Sequence, residues 1–231
     1  MANRPIFTPY TEGLRLVEEL AIEFKWNPGF ALIQKQKNVT ALHEAASLLG
    51  YTPLLEISSK SGEKLGIRLS AFNLKTTLES GMETTIECAF QGSKVFEGGG
   101  PYTDLYETTS LEAKRDERLK ESGGIIGFDL EGLIFPNEPK SAFYDWLYIR
   151  SMAQHREYLT CLDKYAGFTD IEFNPKKSIN CQARSCATYV SLLRKGLLDD
   201  AMSSPKRFIG IVSPDSFAQP YSEDTTQGEL F

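Results

Sequence analysis

The sequence predicts a helix-rich α+β fold in a single domain. Three observations lead there. Apolar residues recur at helical spacing in several segments. Short apolar and β-branched runs, bounded by turn residues, lie between them. No repeat and no linker divides the 231 residues, a length that can bury a core without disulfides or metal. Residues 1–50 are expected to form an N-terminal helical extension packed on the core. Residues 51–213 then make the main body with a small β element, and 214–231 a loosely ordered acidic tail.

Taken in order, Thr11–Glu23 reads as a helix, with Leu14, Leu16, Val17, Leu20, Ala21 and Phe24 on one broad face. Asn27, Pro28 and Gly29 break it. Thr40 suits an N-cap for "ALHEAASLLG", Glu44 lies near the place of a capping-box acid, and Gly50 that of a C-cap glycine. "PLLEISS" and "KLGIRLSAF" are β-like, and "KSGE" between them suggests a hairpin. Thr85–Phe96 reads as a helix closed by Gly98, Gly99, Gly100 and Pro101. "SLEAKRDERLKESGG" reads as an exposed charged helix capped by Ser110 and ended by Gly123 and Gly124. "IIGFDLEGLIF" is extended, and "SAFYDWLYIRSMAQHREYLTCLDKYAGF" is helical, as one bent helix or two. "TDIEFNP" is a short extended piece. "SINCQARSCATYVSLLRKGLLDDAM" is helical, with Ser178 or Asn180 near its start.

A net charge of −6 opposes a broad, non-specific grip on nucleic acid, which rests on phosphate neutralisation, although a local basic groove remains compatible with it. The four cysteines, Cys88, Cys161, Cys181 and Cys186, form no C-x-x-C, and the chain has only two histidines. No metal and no other cofactor is therefore expected. Sparse cysteines suit a reducing cytosol, and no secretory leader or membrane-length apolar run is visible. A cytoplasmic protein without membrane contact is the expectation.

The stretch most suggestive of chemistry is "TTIECAFQGSKVFEGGG". On a continuous helix Glu87, Gln91 and Lys94 fall at i, i+4 and i+7, one stripe beside an apolar surface. That pattern suits a solvated face with local pairing. A half-buried acid next to a desolvated amine is the alternative, though the spacing alone favours the first reading. Gly98 and Gly99 either stop the helix or let backbone N–H groups approach a diphosphate. Trp146 lies in an aromatic stripe, which belongs in a core unless it stacks on a base. Asp170 and Asn180 flank "FNPKKS" and are either a strand end and a helix cap or a polar site; "PKKSINCQARS" is a local basic patch with Lys176, Lys177 and Arg184. His43 has apolar neighbours and reads as a packing histidine.

"ECAFQGSKVF" resembles the E-H-x-[FY]-Q-A-x-K-F signature of the NADAR family of N-glycosidases, with Cys88 in place of the usual histidine. "EISSKSGEKLGIRLSAF" is similar to that family's strand, loop and S-N-F segment. There Ser70 and Phe72 match, while Ala71 replaces the asparagine, which follows as Asn73. "FTDIEFNPKKSINCQARS" resembles the closing segment, with Asp170 and Asn180 as matches and Lys177 beside them. The resemblance covers about Leu54 to Leu193, so 51–213 would be the NADAR-like catalytic domain. The N-terminal segment and "SAFYDWLYIR" look like the branch associated with DarT-type toxins, which ADP-ribosylate guanine in single-stranded DNA.

What the resemblance implies is an antitoxin that removes ADP-ribose from guanine in single-stranded DNA and releases ADP-ribose. Glu87 would be the acid/base. Lys94, or else Lys60 in the loop before the S-A-F segment, would be the nucleophile. Ser70, Phe72, Gln91, Gly98, Gly99, Trp146, Asp170, Lys177 and Asn180 would hold ADP-ribose. The cognate toxin is a further candidate partner. Two other readings stay open: an N-glycosidase for a small riboside such as a riboflavin-pathway intermediate, and a non-catalytic module that binds ADP-ribose or the toxin.

Overall fold

A computed structural model describes residues 1–156 and 160–212; the expected acidic tail at 214–231 lies outside the described residues. The chain starts as a β-hairpin. Strand β1 (Ala2–Pro9) pairs antiparallel with β2 (Val17–Phe24) over eight residues, Ala2 opposite Phe24 and Pro9 opposite Val17. This corrects the helix expected over Thr11–Glu23. In "VEELAIEF" the apolar residues satisfy both periods, Val17, Leu20 and Phe24 at helical spacing and Leu20, Ile22 and Phe24 at spacing two. Pairing with "ANRPIFTP" decides between them. Residues 1–50 are thus a hairpin followed by helix α1 (Leu32–Ser47), which begins well before Thr40. Thr40 lies inside α1 and donates its hydroxyl to the Gln36 carbonyl at 3.1 Å, so it is no cap. Gly50, at φ 91°, follows the helix end as expected.

Strand β3 (Leu54–Glu56) forms, but "KLGIRLSAF" does not return as its hairpin partner. It contains a short helix, α2 (Lys64–Arg68), packed so closely that a Cβ on Gly66 would collide with the Glu56 carbonyl oxygen and the Ser61 side chain. Strands β4 (Lys75–Thr77) and β5 (Glu83–Thr85) pair antiparallel. Helix α3 (Ile86–Gly92) then runs for only seven residues and gives way to β6 (Lys94–Phe96). The continuous helix expected over Thr85–Phe96 is therefore broken at Ser93. Gly92 lies against the Tyr106 ring, Ser93 donates its hydroxyl to the Ala89 carbonyl at 2.7 Å, and the Ser93 carbonyl accepts from Asp129 N at 2.8 Å. Those long-range contacts outweigh local helical spacing.

The charged segment is two short helices, α4 (Ser110–Arg115) and α5 (Arg118–Glu121). The cap of α4 is Thr109, not Ser110, in a capping box with Glu112. Strands β7 (Ile125–Leu130) and β8 (Leu133–Pro136) form a hairpin whose two turn residues, Glu131 and Gly132, both have positive φ. Helix α6 (Ala142–Ala153) is followed after the undescribed residues by a 3₁₀ turn at Thr160–Lys164 and by β9 (Gly167–Thr169). Then come α7 (Gln182–Arg194), with Cys181 rather than Asn180 or Ser178 at its cap position, α8 (Leu198–Met202) and α9 (Pro205–Ile211).

The principal sheet has the order β2-β1-β9-β3, and β3 and β9 are parallel, Leu54 opposite Gly167 and Glu56 opposite Thr169. Two smaller sheets, β4-β5 and β6-β7-β8, complete a single α+β domain. Helix α6 runs through the core; from Ala142 to Ile149 every residue is buried. Its Phe143 stacks on Phe128 at 4.4 Å between ring centres. Inside, Asp145 accepts from Ser185 Oγ at 2.6 Å and pairs with Arg184 of α7 at 3.5 Å, which locks the two buried helices together. A second apolar cluster, including Ile6, Ile22, Leu42, Leu54 and Ile171, joins the N-terminal hairpin and α1 to the sheet. Among the described residues no helix is long and apolar enough to cross a membrane.

Candidate active site

Strands β3 and β9 point the same way, so the loops that follow them emerge side by side. A cleft of about 280 Å³ opens there. One wall is α3, which contributes Glu87, Phe90 and Gln91. A second comes from Ser58, Ser59 and Lys60 after β3 and from Ser70, Ala71 and Phe72 after α2. A third comes from Asp170, Glu172 and Phe173 after β9 and from Ser178, Asn180 and Gln182 at the approach to α7. Lys114 of α4 and Tyr144 of α6 close the remainder.

Local structure sets each wall. Thr85 caps α3 by accepting from Cys88 N at 3.2 Å, and Glu87 N donates to the Ala71 carbonyl at 3.0 Å, so the start of α3 is tied to the Ser70–Phe72 turn. Glu87 is 8% exposed, and its Oε1 accepts from Gln91 Nε2 at 2.9 Å. The Gln91 Oε1 and the Asn180 Oδ1 are both buried with no hydrogen-bond donor among the described residues. Buried acceptors of this kind are expected to be filled, so both atoms invite a ligand's hydroxyl or amide. Asp170 accepts from Gln182 Nε2 at 3.1 Å and from Glu172 N at 3.1 Å. The same Gln182 accepts from Ala71 N at 2.5 Å, which joins the second wall to the third.

The electrostatics separate two groups. Burial is the main cause that pushes the Asp170 carboxyl up to about 8, with the nearby Glu56 charge adding to it and the two hydrogen bonds opposing it. Burial also brings the Lys94 ammonium down to about 8. Glu87 opposes that shift and Lys114 assists it. Lys94 is only half-buried as a residue, but its ammonium lies 4.9 Å from the Phe90 ring centre, where an aromatic face replaces water.

The sequence-predicted residues divide on this geometry. Glu87, Gln91, Lys60, Ser70, Phe72, Asp170 and Asn180 line one cleft. Lys94 does not line it; as the first residue of β6, opposite Phe128, it stands behind Phe90, off the helical stripe expected for it. Gly98 and Gly99 are not in the cleft. Gly98 N donates to the Ser122 carbonyl at 2.9 Å, and a Cβ on Gly99 would strike the Tyr102 hydroxyl, so they shape a turn after β6. Trp146 is 4% exposed and packs on Phe135 at 4.9 Å, a core residue outside the cleft. Lys177 is exposed and also outside it. Residues that sequence reasoning missed include Ser58, Phe90, Lys114, Tyr144, Glu172, Phe173 and Gln182. Phe90 alone carried a signal, the aromatic position between Glu87 and Gln91.

Among the described residues no group of three or more His, Cys, Asp or Glu side chains is placed to hold a metal ion. A buried acid beside an amide, a second acid with a raised pKa, a lysine that readily loses its proton and two open acceptors together suit a polyhydroxylated ligand with a bond to be protonated. A family model described as "DarT1-associated NADAR antitoxin" matches residues 2–222. No curated protein matches the chain.

Proposed function

Because the chain belongs to the family of DarT1-associated NADAR antitoxins, we propose that it is an ADP-ribosyl glycohydrolase which removes ADP-ribose from guanine in single-stranded DNA and so reverses the action of a DarT-type toxin. The observation that carries this reading is the convergence of Glu87, Gln91, Asp170 and Asn180 on one cleft from segments far apart in the chain. It is an arrangement for gripping a ribose while a nearby acid acts on its anomeric bond.

In the proposed reaction the bond between the anomeric carbon and the guanine nitrogen breaks. The departing nitrogen takes a proton from Glu87, and positive character develops on the sugar carbon. The neutral amine of Lys94 adds to that carbon and gives up a proton to the Glu87 carboxylate. The sugar ring opens to an iminium, with a proton now on the ring oxygen. Water adds to the iminium carbon, the carbon–lysine bond breaks, and the aldehyde recloses as free ADP-ribose. Lys94 is assigned this part because it neighbours Glu87 and a pKa of about 8 leaves roughly a tenth of it as free amine at neutral pH. It stands behind Phe90, so that ring must turn aside for the amine to reach the sugar, and Lys60, already in the cleft, is the alternative. Lys60 and Lys114, which line the cleft, are assigned to the diphosphate. Asp170, with a pKa of about 8, is assigned as a hydrogen-bond donor to a sugar hydroxyl or ring oxygen.

The test is release of ADP-ribose from a single-stranded oligonucleotide carrying ADP-ribosyl-guanine, with and without borohydride. Release, and a borohydride-trapped adduct that disappears in Lys94→Ala, is the expected result. An adduct that persists in Lys94→Ala and disappears in Lys60→Ala moves the nucleophile to Lys60. A folded protein that binds ADP-ribose or the toxin and releases nothing is a binding module, and the proposal falls.

A further inference from the structure

The proposed chemistry makes no use of the most heavily bonded acid near the cleft. Glu56 ends β3, is 2% exposed and does not line the cleft. Its Oε1 accepts from Ser58 Oγ at 2.6 Å and from Ile171 N at 2.9 Å, and its Oε2 accepts from Thr169 Oγ1 at 2.6 Å. These donors belong to two different loops. Ser58 Oγ also accepts from Lys60 N at 3.1 Å, and both residues line the cleft. Ile171 lies between Asp170 and Glu172, which line it from the other side.

A third element joins the same network. His43 of α1 places its Nε2 at 2.8 Å from Thr169 Oγ1. The single hydroxyl proton of Thr169 goes to Glu56, so His43 Nε2–H is the donor in that contact. Burial brings His43 down to about 4, and it is neutral at physiological pH. One chain of hydrogen bonds therefore runs from His43 through Thr169, Glu56 and Ser58 to the backbone of Lys60.

We propose, on the glycohydrolase reading given above, that Glu56 is a positioning residue whose carboxylate clamps the loop carrying Lys60 to the loop carrying Asp170 and thereby fixes the two sides of the cleft. A side chain outside the cleft then controls the alignment of groups within it. A displacement of about 1 Å at such a site costs roughly 100-fold in rate. Glu56 also acts on Asp170 through its charge. Two buried acids this close resist simultaneous ionisation. Burial raises both carboxyls, and Glu56 has three donors against two for Asp170, so Asp170 is the one of the pair that keeps its proton to higher pH. The other ionisable groups felt by Asp170 are Glu172 on its own loop, Arg4 of β1, Cys181 before α7, and Tyr144 and Tyr148 of α6. Glu56 also feels Glu172.

Glu56→Gln tests the clamp in two ways. Amide hydrogen exchange on the full chain should accelerate in both loops, 58–61 and 170–173, and remain unchanged in α3. In the oligonucleotide assay kcat should fall by about 10- to 100-fold with KM nearly constant. The alkaline limb of the pH profile should also move to lower pH, because Asp170 has lost its charged neighbour. Unchanged exchange in either loop, or a wild-type kcat with an unmoved pH profile, overturns the proposal. If Glu56→Gln does not fold, Thr169→Val removes one donor and should give the same pattern at smaller amplitude; unchanged exchange and kcat there overturn it equally. If the wild-type protein releases no ADP-ribose, the function falls, and the exchange measurement alone judges the clamp.

Discussion

Lys94 and Glu87 belong to different kinds of structure. Glu87 is in the first turn of α3, and Lys94 opens a strand, yet Glu87 is the main influence that opposes the lowered Lys94 pKa. The proposed role of Glu87, buried and bonded to Gln91, leads to a direct prediction. Glu87→Gln should fold, bind ADP-ribose and lose about 100- to 10,000-fold in turnover, measured as ADP-ribose release. Lys94 predicts a pH dependence. The amine acts when neutral and Asp170 donates when protonated, so on these assignments the single-turnover rate should peak near pH 8 and fall on either side. The same group affects stability. Its pKa is about 8 when folded and 10.5 as the ordinary value, so the unfolded chain holds more protons between those limits. Stability should rise with pH across that window, and the cost is fully present below pH 8. Lys94→Met should accordingly raise stability at pH 7 by on the order of 1 kcal/mol once solvent screening at this half-buried side chain is included, read as a higher melting temperature. Glu87, Gln91, Asp170 and Asn180 were legible as motif residues. Glu56, Tyr144 and Gln182 were not, because each has a decisive partner far away in sequence, Thr169, Phe90 and Ala71 respectively, and no local spacing marks it.

Short elements dominate the surroundings of the cleft, and this limits what period-based reading can find. "VEELAIEF" fits two periods, and only its partner strand chooses between them. "KLGIRLSAF" has strand-like composition, but the close approach of Gly66 to the Glu56 carbonyl bends it into α2. Gly66→Ala should therefore cost about 2–3 kcal/mol, read as a fall in melting temperature, and should loosen the Ser58–Lys60 loop packed under it. The long buried helices α6 and α7 were readable because their length and apolar content leave no competing assignment. Helix α3 was expected four residues too long, through Ser93 and the whole of β6, since the contacts that end it, to Tyr106 and Asp129, are not neighbours in sequence.

At the scale of the molecule, the net charge of −6 and a cleft with two lysines, Lys60 and Lys114, fit the proposed action on one modified nucleotide better than a grip along a strand. Because Lys60 and Lys114 are assigned to the diphosphate and not to the strand, binding of the modified oligonucleotide should show a weak salt dependence, close to that of free ADP-ribose. Lengthening the oligonucleotide past the neighbours of the modified base should leave kcat/KM unchanged. A steep slope would reveal a backbone-binding surface elsewhere. The parallel pairing of β3 with β9, Glu56 opposite Thr169, carries a further consequence for the time course of synthesis. The first wall-bearing loop leaves the ribosome more than a hundred residues before the second. A nascent or prematurely terminated chain therefore possesses Glu87 and Lys60 but neither Asp170 nor Asn180. Both walls of the cleft can therefore assemble only after synthesis has passed Asn180, so a ribosome stalled before that point yields a chain with half a site.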